Sequence, residues 1–312
     1  MKLQNLFQRA SSHWVCYSEY EIRELDGERY VTAAKGAELK IYDPLKVADD
    51  IIVDALNVGI MCVRAKPDEA KIEAAILAFA AKYGLLGFMT ALPTTPDFWE
   101  YEKVYLPKNP VIRDETMDAK DYINSFFPFE GDVFFRDKNK IRQDLFGMTG
   151  GVSSVIGTSD RESIALSLTF RGLPFAQKLS FQRGYSERYE WIRNQFRDWA
   201  TMFLSAVFYY DETDETMKEL HRRSIKAFGG VAPHYHVVLS DESPMMMWDF
   251  HSLLQEIQII LSYTLTDESK PLRVCRECSK AYIASDQRAR FCSHECKNRY
   301  NVRKSRSKPS TE

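Results

Sequence analysis

Apolar and polar residues alternate over residues 13–42, near the start of the chain. Two alternating stretches flank Asp26 and Gly27, a dipeptide that supplies the positive φ values of a two-residue turn. A third such stretch, AELKIYDP, stops at Pro44. The pattern predicts a β-hairpin followed by a third strand.

From residue 45 onward, apolar residues recur every three or four positions, which is typical of amphipathic helices. This spacing predicts helices over residues 45–63, 67–84, 186–210, 215–228 and 245–265. Pro67 opens the second helix and Gly84 ends it, as expected for these residue types. The segment APHYHVVLSDESP, which lies before the last of these helices, is predicted to be a short strand.

The middle of the chain lacks a clear period. Residues 92–131 are rich in proline and aromatic residues and predict a long ordered loop with short helices. Residues 147–157 are rich in glycine, but they lack the Lys-Ser or Lys-Thr of a phosphate-binding loop and are interpreted as a connector. A hairpin is predicted to turn near Gly172. Together the elements predict an α+β fold, with a helix-rich body of short antiparallel strands over residues 1–269 and a small C-terminal module over residues 270–312.

The C-terminal module is basic, whereas the rest of the chain is acidic. Residues 271–312 contain 11 Lys and Arg but four Asp and Glu, whereas the rest of the chain contains 31 basic and 40 acidic residues. A basic end on an acidic body is typical of a protein that binds a polyanion. No stretch approaches the ~20 apolar residues of a membrane span, and no apolar signal-peptide region opens the chain. A cytoplasmic protein is therefore expected.

Four of the six cysteines form two close pairs, Cys275-x2-Cys278 and Cys292-x3-Cys296. Such pairs suit tetrahedral Zn²⁺, because each pair can bind the metal from one turn of backbone. Disulfides are not expected in the absence of a secretion signal. The spacing predicts one structural zinc ion, at which catalysis is not expected because four thiolates leave no open coordination position. His294 lies inside the second pair and is the alternative ligand.

The residues around these pairs predict the local structure of the module. The segment SKAYIASDQRARF is expected to form a short hairpin that turns at Ser285 and Asp286, and Ser293 is expected to cap a helix. Metal binding would supply much of the folding free energy of so small a unit. The two isolated cysteines, Cys16 and Cys62, are interpreted as small buried hydrophobic residues.

A dense run of basic residues follows Cys296. On a helix, Arg299, Arg303 and Arg306 share one face, and basic side chains on a rigid helix can pair with phosphates and release counterions. The residues expected to contact nucleic acid are Lys297, Asn298, Arg299, Arg303, Lys304 and Arg306.

The sequence CRECSKAYIASDQRARFCSHECKNRYNVRKSR resembles the CGNR-type zinc finger. In that family a strand ending in WCS or FCS precedes Cys-Gly-Asn-Arg, which opens a basic helix. Cys296, Asn298 and Arg299 match this motif, and Lys297 stands in place of the glycine. The helix that ends in FAAKYGLLG, and the long helix before the finger, are faintly similar to the domain that accompanies such fingers. The resemblance implies a treble-clef-like finger on a bacterial transcription regulator that binds DNA.

The leading hypothesis is thus a regulator whose finger binds nucleic acid, DNA rather than RNA, and whose body senses a signal or assembles with a second copy or another protein. One alternative is a protein-interaction module with a structural zinc finger. Another is an enzyme that acts on nucleic acid and uses the finger as a targeting arm. The chain is expected not to be an enzyme, because no catalytic motif stands out and the acids Glu187, Glu190 and Asp198 are interpreted as the exposed face of a helix.

Overall fold

Helices and short strands are interspersed along the chain, and a computed structural model shows how they pack. It describes residues 10–11, 13–90, 103–106, 115–118, 125–129, 184–229, 233–240, 243–250, 252–267, 269, 271–286 and 288–306. The helices are α1 (Ala48–Cys62), α2 (Glu69–Tyr83), α3 (Tyr189–Phe208), α4 (Glu215–Ala227), α5 (Leu253–Thr266) and α6 (His294–Arg306). Short 3-10 turns lie at Pro44–Val47 and Phe88–Thr90.

The strands of the described residues form small sheets. They are β1 (Ala10–Ser11), β2 (Trp14–Tyr17), β3 (Tyr20–Leu25), β4 (Glu28–Ala33), β5 (Leu39–Tyr42), β6 (Lys103–Leu106), β7 (Glu115–Asp118), β8 (Ser186–Arg188), β9 (His234–Leu239), β10 (Pro244–Asp249), β11 (Leu272–Val274) and β12 (Ala281–Ile283). All of the pairings are antiparallel except the one between β1 and β10. The predicted α+β class is confirmed.

The predicted β3–β4 hairpin turns on Asp26 and Gly27, which have φ values of 53° and 80°. Both residues therefore adopt the left-handed conformation that a two-residue turn requires. The other edge of β4 pairs with β8, which leads directly into α3. The third predicted strand is β5, whose partner is β2.

Helix α3 forms the centre of the body and packs across α1. Its predicted apolar stripe is confirmed at Tyr189, Ile192, Phe196, Trp199 and Phe203, which are all buried. The predicted bounds of 186–210 are wrong at both ends, because residues 186–188 form β8 and Tyr210 follows the helix and is 86% exposed. The two helices approach so closely that a Cβ atom on Gly59 of α1 would lie 2.0 Å from the carbonyl oxygen of Phe196. Glycine is therefore required at this crossing. The cysteines interpreted as buried, Cys16 and Cys62, are both buried.

Two of the three acids interpreted as an exposed helix face are not exposed. Only 14% of the Asp198 side chain is accessible, whereas Glu190 is 55% exposed as expected. Glu187 lies in β8 and is fully buried. Its carboxylate accepts hydrogen bonds from the backbone N–H groups of Leu86, Gly87 and Phe88, at 2.8, 2.6 and 2.9 Å. The hydroxyl of Tyr185 donates a fourth, at 2.8 Å. Burial raises the pKa of Glu187, and these four donors oppose that shift. The connector after α2 is thereby fastened to β8.

The predicted helix over residues 245–265 is wrong in its first part. Residues 244–249 form β10, which pairs with β9 in a hairpin, and α5 begins only after Ser252, whose hydroxyl accepts a hydrogen bond from the N–H of Gln255 at 3.0 Å. A short apolar run such as residues 245–247 fits a strand as well as a helix, and the adjacent strand decides between them. The short helices predicted in residues 92–131 are also not found in the described part of that segment, where β6 pairs with β7. The predicted connector and the hairpin near residue 172 lie outside the described residues.

Candidate metal centre

The C-terminal module begins with a hairpin that encloses the first cysteine pair. Strand β11 pairs with β12, and residues 275–280, here called the knuckle, connect them. The predicted hairpin between the two cysteine pairs is wrong in its partner, because β12 pairs with the strand before Cys275. The turn predicted after β12 is confirmed, since Asp286 accepts a hydrogen bond from the N–H of Arg288 at 2.7 Å.

The four cysteines that the spacing singled out lie together. Their Sγ atoms are all within 4.8 Å of one another, and the Cys278–Cys292 and Cys292–Cys296 pairs are each 3.6 Å apart. Tetrahedral Zn²⁺ with Zn–S bonds of about 2.3 Å separates its sulfur ligands by about 3.8 Å. The sulfur atoms therefore fit a single tetrahedral metal ion, as Zn²⁺ prefers. None of the six cysteines, all of which are described, forms a disulfide.

The surroundings of the sulfur atoms favour thiolates at two positions. Burial acts to raise the pKa of Cys275, but backbone N–H groups of the knuckle and of Cys292 donate to its sulfur and lower the pKa to about 6. The guanidinium of Arg299 donates to the sulfur of Cys296 and lowers its pKa as well. Burial raises the pKa of the remaining two thiols, and crowding by neighbouring sulfur adds to that effect. A bound cation would offset this crowding, so metal binding would release protons.

Helix α6 is attached to the metal centre by one face. Its N-cap is Ser293, as predicted, whose hydroxyl accepts a hydrogen bond from the N–H of Cys296 at 3.3 Å. Arg299 donates to Cys296 Sγ at 3.1 Å, and the rings of Tyr300 and Phe291 have centroids 5.1 Å apart. A partner outside the metal site holds the third turn of the helix.

That partner is Glu277 of the knuckle. Its carboxylate lies 3.0 Å from Nη2 of Arg303, and only 13% of the Glu277 side chain is exposed. The residues of α6 that face the module are thus Cys296, Arg299, Tyr300 and Arg303, here called the anchor face.

The structure divides the six residues expected to contact nucleic acid. Arg299 and Arg303 belong to the anchor face and have partners within the module. The others lie outside the anchor face; these are Lys297, Asn298, Lys304 and Arg306. All six are exposed, and Arg303 retains 62% of its side-chain surface although it pairs with Glu277. Cys296 is the one buried residue among the 13 of α6.

The hairpin of the module is docked on the body. Leu272 and Ala281 are buried in the main hydrophobic core, beside α1. The side-chain amide of Asn57 in α1 accepts a hydrogen bond from the N–H of Ala281 at 2.8 Å and donates one to its carbonyl at 3.2 Å. Sequence reasoning missed this clamp, because nothing in the pattern around Asn57 signals a partner 224 positions away.

No protein-family model, curated protein or solved structure matches this chain. The resemblance to the CGNR-type finger therefore rests on the residues of the C-terminal module alone. Within the described residues, the four cysteines form the one cluster of Cys, His, Asp or Glu side chains suited to a metal ion. No helix in the same residues is long and apolar enough to cross a lipid bilayer.

Proposed function

We propose that this chain is a zinc-binding regulator of transcription in the cytoplasm that binds DNA through α6. The proposal rests on the way in which α6 is held in the module. The helix is fastened through Cys296 to the cysteine cluster, and every other residue of the helix remains at least partly accessible. A rigid and accessible basic helix can approach phosphates without a large loss of conformational entropy.

The charge of the module supports the same ligand. Residues 271–306 contain ten Lys and Arg but three Asp and Glu. Four thiolates around Zn²⁺ add about two negative charges, so the module remains positive when the metal is bound. The resident metal supplies structural cross-linking and no catalytic step, because four sulfur ligands leave it no site for water. The proposal is accordingly that of a binding protein and not an enzyme.

Binding of the full-length, zinc-loaded protein to a random-sequence DNA duplex across a salt series tests the proposal. We expect the logarithm of affinity to fall linearly with the logarithm of salt concentration. Replacing Lys297, Lys304 and Arg306, the three basic residues of α6 outside the anchor face, by alanine should reduce binding strongly. The matched control removes three exposed basic residues of the body, Lys35, Lys40 and Lys66, and should change little. Affinity that ignores salt, or that survives the loss of the α6 charges, would contradict DNA binding through this helix.

A second candidate role, assembly of the body with a second copy, is favoured by the β9–β10 hairpin. Register pairs Tyr235 with Trp248, Val237 with Met246, and Leu239 with Pro244, so one face of the hairpin is entirely apolar. Much of it is accessible, with Val237 67% and Leu239 85% exposed. Among the described strands, β9 has a neighbour on one side only. Such an edge can pair with the same strand of a second copy.

The oligomeric state tests this second role. We expect the molar mass measured by light scattering to rise with protein concentration toward that of a dimer. Val237→Lys should keep the protein monomeric, whereas Ile41→Lys, at an equally exposed position on β5, should not. A monomer at all concentrations would eliminate self-association and leave a different protein as the candidate for this face.

A further inference from the structure

On the outward side of α6, residues of different types occupy different positions around the helix, which the total charge of the helix does not reveal. With about 3.6 residues per turn, the side of α6 opposite the anchor face carries one residue from each successive turn. These residues, here called the outer stripe, are His294, Asn298, Asn301 and Ser305, and all four are exposed. Each is a hydrogen-bonding side chain, and none of them is a lysine or an arginine.

The two margins of this stripe differ. Lys297 and Lys304 lie along one margin of α6, whereas Arg306 shares the other with the acid Glu295 and the apolar Val302. A helix in the major groove of DNA meets base edges along its centre and phosphates along the two walls of the groove. The arrangement of α6 matches that order on one side, with hydrogen-bonding groups in the middle and the positive charge of Lys297 and Lys304 along one margin.

We propose, on the basis of the proposed DNA-binding function, that α6 enters the major groove of B-form DNA with the outer stripe toward the bases. Asn301 is the residue that reads sequence, and its ligand is an adenine edge. The major groove of B-DNA admits an α-helix, whereas the deep and narrow major groove of A-form RNA does not. The side-chain amide of asparagine can bond N6 and N7 of adenine together.

Asn301 is the best placed of the two asparagines on the stripe. Nδ2 of Asn298 lies 3.2 Å from Nδ1 of His294, so that amide already has a partner. Within the described residues the side chain of Asn301 makes no hydrogen bond, and it lies at the middle of the helix. Its amide can therefore be offered to a base without breaking an existing contact.

The same geometry assigns a different task to two of the arginines. Arg303 pairs with Glu277 of the knuckle and so helps to determine which side of α6 faces outward. Arg299 acts within the helix, where it donates to Cys296 and stabilises the thiolate that would bind the metal. They are positioning residues, and Lys297, Lys304 and Arg306 contact the phosphates. This division differs from the one that the helical spacing of the arginines alone would give.

The test uses the full-length, zinc-loaded protein and a pool of randomised DNA duplexes. The bound fraction is sequenced, and affinity for the unselected pool is measured across a salt series. Asn301→Ala should keep its affinity for the unselected pool within about twofold. It should lose a preference for adenine at one position, worth about 5- to 150-fold in the wild-type protein. Lys297→Ala with Lys304→Ala should weaken binding to every sequence and reduce the salt slope by about two.

Zinc retention separates positioning from phosphate contact. Arg299→Ala should speed the transfer of zinc to a chelator, whereas Lys297→Ala, two positions away on the outer margin, should not. An unaltered transfer rate for Arg299→Ala would contradict its positioning role.

Three outcomes would overturn the inference while leaving the proposed function intact. They are wild-type binding that shows no base preference, a preference that survives in Asn301→Ala, and equal affinity for a duplex RNA of the same length. Absence of salt-dependent binding to any nucleic acid would instead overturn the proposed function itself.

Discussion

Helices α3 and α6 are both regular, yet different forces hold them in place. α3 has 20 residues and buries eight of them, mostly large apolar side chains. α6 has 13 residues and buries only Cys296. Each fully buried aromatic or aliphatic side chain contributes about 1.5–3 kcal/mol, so apolar packing suffices for α3. An isolated helix as short as α6 is marginal in water, so its order depends on the sulfur cluster, the aromatic pair and the two arginines.

The difference also separates the tasks that the two helices can perform. A helix whose apolar side chains fill the core cannot offer them to a partner without unfolding the body. A helix fastened at one face can offer its whole outer side while its orientation stays fixed. A metal ion held by the four cysteines would thus take the place of a hydrophobic core and leave the outer side of α6 accessible.

The largest effect is expected from loss of the metal ion, which should unfold α6 and leave α3 intact. Cys278→Ser should remove one zinc ion per chain and unfold α6, because metal binding in small modules supplies about 10–16 kcal/mol. The near-ultraviolet circular dichroism of the body should change little. Zinc release to a colorimetric chelator, and tryptic cleavage after the basic residues of α6, would measure the two effects. Cys62→Ser, which alters a buried thiol of α1, should retain its zinc. Retention of zinc by Cys278→Ser would show that the cysteine cluster is not the metal site.

The converse experiment disrupts the body and spares the metal centre. In Gly59→Ala the added methyl group would lie 2.0 Å from the carbonyl oxygen of Phe196 and 2.7 Å from the Cβ of Ala200. The gain in helix propensity of about 1 kcal/mol cannot offset a backbone clash, so we expect a net loss of about 2–3 kcal/mol in the free energy of unfolding. Gly229→Ala, which meets no atom within 4 Å, should be neutral in the same urea titration. Equal stability of the two variants would show that α1 and α3 do not cross as closely as described.

The sequence was sufficient to predict the features that depend on residues close together in the chain. The stripe of α3 follows from the helical repeat, the β3–β4 turn from Asp26 and Gly27, and the cysteine cluster from the spacing of its pairs. Each of these patterns lies within a few dozen residues of the chain. Their structures could therefore be predicted without knowledge of the fold.

The features that were missed depend on partners far along the chain. Glu187 accepts hydrogen bonds from backbone N–H groups about 100 positions earlier in the chain. Asn57 forms hydrogen bonds with Ala281, which lies 224 positions later. Strand β10 forms because β9 lies beside it, although its methionines fit a helical pattern as well. In α6 the spacing predicted a shared arginine face, but it could not show that Glu277 holds Arg303. Tertiary contacts, which no local pattern contains, decide each of these cases.

A smaller effect, with a dependence on pH, is expected at Asp198 on α3. Burial raises the pKa of Asp198 to about 6, although Arg197 lies 3.3 Å away and lowers it. In the unfolded chain this pKa is about 3.9, so stability falls as pH rises between about 4 and 6. Asp198→Asn removes this cost and should stabilise the body by about 1–3 kcal/mol at pH 8.

Urea titrations at two pH values check the sign of that effect. At pH 4, where the native protein holds the carboxyl protonated, the gain in Asp198→Asn should largely disappear. Asp211→Asn, at an exposed position just after the same helix, should behave like the wild type at both pH values. An equal gain at the two pH values would show that the carboxyl of Asp198 is charged without cost in the folded protein.

The smallest effect on stability is expected at Asn57, whose two hydrogen bonds to Ala281 link α1 of the body to β12 of the C-terminal module. Asn57→Ala removes two hydrogen bonds to Ala281, each worth about 0.5–1.5 kcal/mol. We expect a loss of about 1–3 kcal/mol in the free energy of unfolding, whereas Asn194→Ala, at a half-buried position on α3, should cost less. If the hairpin β11–β12 leaves the body, zinc should still be retained, because the four sulfur ligands lie outside this contact. Loss of zinc in Asn57→Ala would mean instead that the body determines the geometry of the metal centre, and that the two regions depend on one another.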